Sequence, residues 1–246
     1  MTIAPTPLHT GRMPHNYLWA LAALVIGLIV GGTVGLLIGS NVFEDSSSST
    51  SVQGSGVAAT EARDLPPFSS VELAGSNTVT IRVGEEQSVV VRADNNLVDR
   101  VTTAVQDGSL VIGDVPGSYT TKSPMSITIS VPSLDALTLT GSGVIAVSDI
   151  EAASLTVRLP GSGVLRASGA ATKLVVTLDG SGDAQLEQLI AVDARAVVSG
   201  SGRIVLTATQ SLDASVPGSG AIMYGGNPRE VTRSITGSGA IISTSG

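Results

Sequence analysis

Apolar and polar residues alternate along most of the chain after Phe68, and the alternation returns in a frame of about 19 residues. The frame is marked by Gly-Ser-Gly at 141–143, 161–163, 180–182, 200–202, 218–220 and 237–239, at intervals of 20, 19, 20, 18 and 19 residues. Two residues before each triplet stand Leu139, Leu159, Leu178, Val198, Val216 and Ile235; four before it stand Leu137, Val157, Val176, Ala196, Ala214 and Arg233. Two after it come Ile145, Leu165, Ala184, Ile204, Ile222 and Ile241, and four after it Val147, Ala167, Leu186, Leu206, Tyr224 and Ser243. A two-residue period on both sides of a fixed corner predicts a strand before it and a strand after it, both burying the same face. Arg233 and Ser243, in the last repeat, are the departures from these columns.

A unit this short cannot form a core alone, so each copy must stack on the next, strand on like strand. The predicted fold is therefore all-β, a right-handed parallel β-helix-like solenoid over residues 68–246. Right-handed winding is the rule for parallel crossovers. Gly75-Ser76-Asn77, with Val71 and Leu73 before it and Val79 and Ile81 after it, fits the same frame. Strands also read at 89–91, 101–105, 110–112 and 127–131, with one helical turn over 95–100. About nine coils, strand and short turn alternating, would make a rod of roughly 40 Å. Glycine supplies the corner angles and the close approach of neighbouring coils. Ser76, Ser142, Ser162, Ser181, Ser201, Ser219 and Ser238 are expected to stack as an inward, mutually hydrogen-bonded structural ladder.

The N-terminal part has another pattern. From Tyr17 to Gly39 the chain is almost wholly apolar, and no Lys, Arg, Asp or Glu lies between Arg12 and Glu44. Twenty-three residues at helical rise cover roughly 34 Å, enough for a hydrocarbon core. The stretch is too long for a signal-peptide core. The expected order is a cytoplasmic tail (1–16), a transmembrane helix (17–40), a Ser/Gly/Pro linker (41–67) and the repeat domain outside the cytoplasmic membrane. Arg12 before the span, with Glu44 and Asp45 after it, places the N-terminus inside. Gly27, Gly31, Gly35 and Gly39 form one small-residue row suited to packing against another membrane helix.

Composition narrows the chemistry. The chain of 246 residues has no Cys, two histidines near its N-terminus (His9, His15) and a net charge of -7. These exclude disulfides and thiolate sites, remove histidine catalysis from the repeat domain, and argue against nucleic acid as a partner. Two acidic pairs stand out, Asp179 with Asp183 around one triplet, and Asp149 with Glu151. The first has the start of a calcium loop without its later ligands, so solvated turn carboxylates are expected. Aromatics are 2% of the residues, leaving few platforms for a sugar cleft. No catalytic residue, metal or cofactor is assigned, and the chain is read as not an enzyme.

Several stretches occur in a fixed order: Phe68 to Val71, Val89-Val-Val-Arg-Ala-Asp94-Asn-Asn-Leu97, Asp107-Gly108-Ser-Leu110-Val-Ile112, Val131-Pro132, Leu134 to Leu139, then the spaced triplets. Together they resemble the GIN domain family of bacterial auto-transporter adhesin head domains. The resemblance covers residues 68–246 and implies a β-helix-like domain displayed outside the cell, with no catalytic residues to carry over. Many members of that family look lipid-anchored through a cysteine; here a spanning helix stands in that place. The expected function is a membrane-anchored, surface-displayed interaction, adhesion-like or structural module of the envelope. The alternatives are a carboxylate-dependent polysaccharide enzyme and an envelope-sensing accessory subunit. A homo-oligomer could form through the glycine row or the last coil. Residues 234–243 are expected either to be covered by an upstream segment or to meet a second copy, because solenoid ends are normally capped.

Overall fold

The computed structural model describes residues 51–244. Its strands are β1 (Val52–Gln53), β2 (Ala58–Ala62), β3 (Ser70–Leu73), β4 (Thr78–Val83), β5 (Ser88–Asp94), β6 (Val101–Gln106), β7 (Ser109–Asp114), β8 (Tyr119–Thr120) and β9 (Ser126–Val131). They continue as β10 (Ala136–Leu139), β11 (Val144–Leu159), β12 (Val164–Leu178), β13 (Asp183–Val198), β14 (Arg203–Val216), β15 (Ala221–Gly225), β16 (Glu230–Ile235) and β17 (Ala240–Ser243). A single 3-10 turn, Val98–Arg100, accounts for the expected helical turn. The expected spanning helix and its glycine row lie outside the described residues. Among the described residues no helix is long and apolar enough to cross a membrane.

The repeat columns become stacks. Leu137 pairs with Val157, Val157 with Val176, Val176 with Ala196 and Ala196 with Ala214, every step parallel. On the other side of the triplets, Val79 pairs with Ile145, Ile145 with Leu165, Leu165 with Ala184, and Ala184 with Ile204. All of these side chains are buried. Each large aliphatic side chain so buried contributes about 1.5–3 kcal/mol. The six triplets bound about five turns of an all-β solenoid, fewer than the nine coils expected.

The shortfall lies before Ala136. The Gly75-Ser76-Asn77 corner does join the stack, with β3 beside β10 and β4 beside β11. But β6 runs antiparallel to β7, and β5 antiparallel to both β9 and β2. Alternation is the same in both kinds of ladder, so these strands read as coils. Asp107 and Gly108 both have positive φ and form the two-residue hairpin that reverses β6 into β7, the turn type that Asp-Gly favours. Antiparallel strands thus finish the sheets at this end. The stretch 41–67, read as a tether, supplies β1, paired with β8, and β2, paired with β5; for residues 52–62 that reading is corrected.

A second correction concerns the turn expected between the two strands of each repeat. β11 to β14 run unbroken for 14 to 16 residues. They bend through bulges, where register shifts between Val147 and Ile150, Arg166 and Ser168, and Leu186 and Ile190. Asp149 (φ 63°) and Gly169 (φ 128°) make two of these bends in the left-handed half of backbone space.

At the other end, β16 is exposed throughout, and Ile235 and Ile242 are 48% and 47% exposed. No described upstream segment covers them, which removes that half of the expectation. Arg233, pointing along a core column from the last coil, instead lies over the Tyr224 ring, 5.2 Å from its centroid, and donates to its hydroxyl. Tyr224 is buried, as its column requires.

Candidate functional site

The corner serines face the opposite way from the expectation. All seven are exposed, while Gly143, Gly163, Gly182, Gly202 and Gly220 are buried. The inward ladder is therefore corrected. The reason is room: a Cβ on Gly163 would lie 2.7 Å from Leu139 Cδ2 and nearer still to the carbonyl oxygen of Gly143. Glycines take the inner positions and the middle residue is turned outward. Its backbone holds the stack, as when Ser162 N–H donates to Gly141 and Ser201 N–H to Gly180. Ser181→Ala should therefore shift unfolding by no more than about 0.5 kcal/mol, the usual range for a surface change; a clear loss in a denaturant titration would restore the buried ladder.

The acidic pairs separate. Asp179 is exposed, whereas Asp183 accepts from Arg203 through Nε at 3.1 Å and Nη2 at 2.6 Å, and from the Gln185 amide at 2.8 Å. The Arg203 guanidinium holds the Asp183 carboxyl below its ordinary 3.8, against the opposing effect of burial and with help from Gln185. Asp149 is held at the bend by the Ser148 hydroxyl, and Glu151 lies exposed beyond it. Among the described residues no group of three or more His, Asp or Glu side chains is placed to hold a metal ion.

Sequence reading missed two hollows, one on each side of the bulged bends. The first, of about 410 Å³, has a mixed polar and apolar lining. Its lining includes Thr80 from β4, Ser148 from β11, Arg166 and Ser168 from β12, and Gln185 and Gln188 from β13. Ladder pairing aligns Thr80, Ala146, Arg166 and Gln185 across four strands, and the small Ala146 leaves the hollow open. Arg166 Nε donates to Gln185 Oε1 at 2.9 Å. The second hollow, about 380 Å³, is apolar, formed by Ala152, Ala170, Ala171, Ile190 and Val192 among others.

Sequence reading also missed Asp94, which is fully buried. It accepts from the backbone N–H of Gly56 (2.9 Å), Lys122 (2.8 Å) and Ser123 (3.2 Å), tying the β1–β2 segment to the loop after β8. Its neighbours Asn95 and Asn96 bond Ser55 and Gln53 in the same segment. The Asp-Asn-Asn run was the visible signal. These bonds, the Lys122 amide foremost, hold the Asp94 carboxyl below its ordinary 3.8 although burial pushes the other way. A lowered value means the carboxylate stabilises the fold above about pH 4, and that contribution is lost as pH falls through the folded value. Acid unfolding should therefore begin below pH 4, and Asp94→Asn should flatten that limb of the stability curve; an identical limb in the variant would contradict the assignment.

No curated protein matches the chain. Among solved structures it is similar to a "putative adhesin" from Bacteroides fragilis, with 23% identity and a TM-score of 0.66 over 78% of this chain and 99% of that one. A "putative adhesin" from Parabacteroides distasonis has 20% identity and a TM-score of 0.46, over 78% and 99% of the two chains. At these identities the first likeness bears on the fold alone. The sequence profile of the family described as "Putative auto-transporter adhesin, head GIN domain" matches residues 67–228, well over half the chain, and the chain belongs to that family.

Proposed function

We propose that this chain is an envelope-displayed, adhesin-like interaction module that works by binding. In this reading residues 1–16 are cytoplasmic, 17–40 anchor the chain, and a right-handed solenoid is presented outside. The carrying observation is the hollow around Arg166. It sits on mid-sheet strands, and Arg166 and Gln185 are aimed by their hydrogen bonds, the arrangement a binding surface needs. Asp183, which accepts from Gln185, is committed to Arg203. That leaves Glu187 as the one carboxylate lining the hollow among the described residues, which favours recognition over a paired-carboxylate acid–base mechanism. A second copy through the glycine row or the exposed last coil would add avidity to a weak single contact.

The test uses the full-length chain in its bacterial host. Protease added to intact cells should remove the repeat domain, and purified full-length chain should bind envelope polymers or cell surfaces. A domain protected on intact cells, or a chain binding no envelope fraction, would overturn the reading.

A further inference from the structure

We propose that the mixed hollow over β4, β11, β12 and β13 binds a carboxylate-bearing saccharide, with Arg166 as its anchor. This rests on reading the domain as a binding module and names the ligand class of that site.

The first observation is a guanidinium with an unused edge. Arg166 uses Nε on Gln185, and its two terminal nitrogens have no hydrogen-bond or ion-pair partner among the described residues. Gln185 is itself fixed, because its amide nitrogen donates to Asp183, and Asp183 is held by both branches of Arg203. The relay Arg203–Asp183–Gln185–Arg166 therefore orients the free fork, and Glu187 beside it balances the second positive charge. A planar fork with two parallel donors matches a carboxylate in bidentate geometry.

The second observation is what surrounds it. Thr80 and Ser168 bring hydroxyls, Gln188 brings an amide, and Glu187 brings an acceptor. Mixed donors and acceptors of this kind suit a polyhydroxylated molecule. A peptide would gain most from adding a strand, and no strand edge is open here. β11 lies between β4 and β12, and β12 between β11 and β13. A neutral sugar would look for an aromatic face, and no aromatic lines the hollow. The Arg166 fork then has to hold the ligand in place, with Glu187 as the opposing charge.

Calorimetry with the purified full-length chain in detergent tests this, using a hexamer of glucuronic acid, its fully methyl-esterified form and hexaglutamate. The acidic hexamer should bind, more weakly as salt rises, while the neutral ester and the peptide should not. Arg166→Gln should weaken binding by about tenfold or more, the usual effect of losing a charged hydrogen bond. Arg166→Lys should fall between, and Glu187→Gln should tighten binding by removing a like charge. Ile190→Ser, in the apolar hollow, should change nothing, and all variants should melt as the parent does. Equal binding of the ester or of hexaglutamate overturns the ligand class. Acidic-hexamer binding that survives Arg166→Gln overturns the site. If no hexamer binds while the chain still binds envelope fractions, this inference falls and the binding-module reading stands.

Discussion

Gly163→Val should lower the melting temperature of the repeat domain by roughly 6–12 °C. Gly163 is buried at a corner between Leu139 of one neighbouring coil and the backbone of Gly143. Even a single Cβ there meets Leu139 Cδ2 at 2.7 Å, and the carbonyl oxygen of Gly143 is closer. The coil cannot move away, because Val164 N–H donates to Gly143 at 3.0 Å and would have to give up that bond. Overpacking a core costs about 1–3 kcal/mol, and contacts as close as these belong at the upper end. Each kcal/mol shifts a domain of this size by about 2–4 °C. Ser162→Ala, one residue away and facing solvent, should leave the melting curve where it is. Similar shifts for the two variants in circular dichroism melts would show that the corner is not held by close backbone contact.

Leu165→Ala should destabilise the domain by about 2–5 kcal/mol, the cost of a fully enclosed leucine cavity. Ile241→Ala should cost well under half as much. Both occupy the same column, but Leu165 is sandwiched between Ile145 and Ala184, whereas among the described residues Ile241 has only Ile222 beside it in the ladder. In a linear stack each coil is stabilised by its two neighbours, so an end coil has half the interface to lose. Denaturant titrations of the two variants check this. Equal costs would mean that the last coil is enclosed in solution by something further.

The columns of this stack were legible because the frame repeats: Leu137, Val157, Val176, Ala196 and Ala214 fall on one line once the triplets are aligned. The direction of the corner serines was not, since Gly-Ser-Gly states only that backbones come close, not which residue turns inward. The antiparallel strands β5 and β6 were misplaced for a similar reason. Side-chain alternation is blind to strand direction, and the one cue, Asp107-Gly108, is two residues long. Asp94 stands in a polar Asp-Asn-Asn run, and its burial becomes visible only when the β1–β2 segment is laid against it. Arg166 and Gln185 are 19 residues apart and become neighbours only because one coil lies on the next. The site was thus less legible than the fold, because it is assembled across coils by residues with no shared spacing of their own.

The intervals between triplets vary from 18 to 20 residues, yet the corners and the buried columns stay in register. The slack is taken up on the far side of each coil, at the bulges near Ser148, Ser168 and Gln188. A coil of this kind has one margin where length is fixed and another where a residue can be gained or lost without disturbing its neighbours. Both hollows lie along the forgiving margin. A lineage carrying this scaffold can therefore reshape what it touches by small insertions and deletions there, while the glycine margin keeps the rod intact.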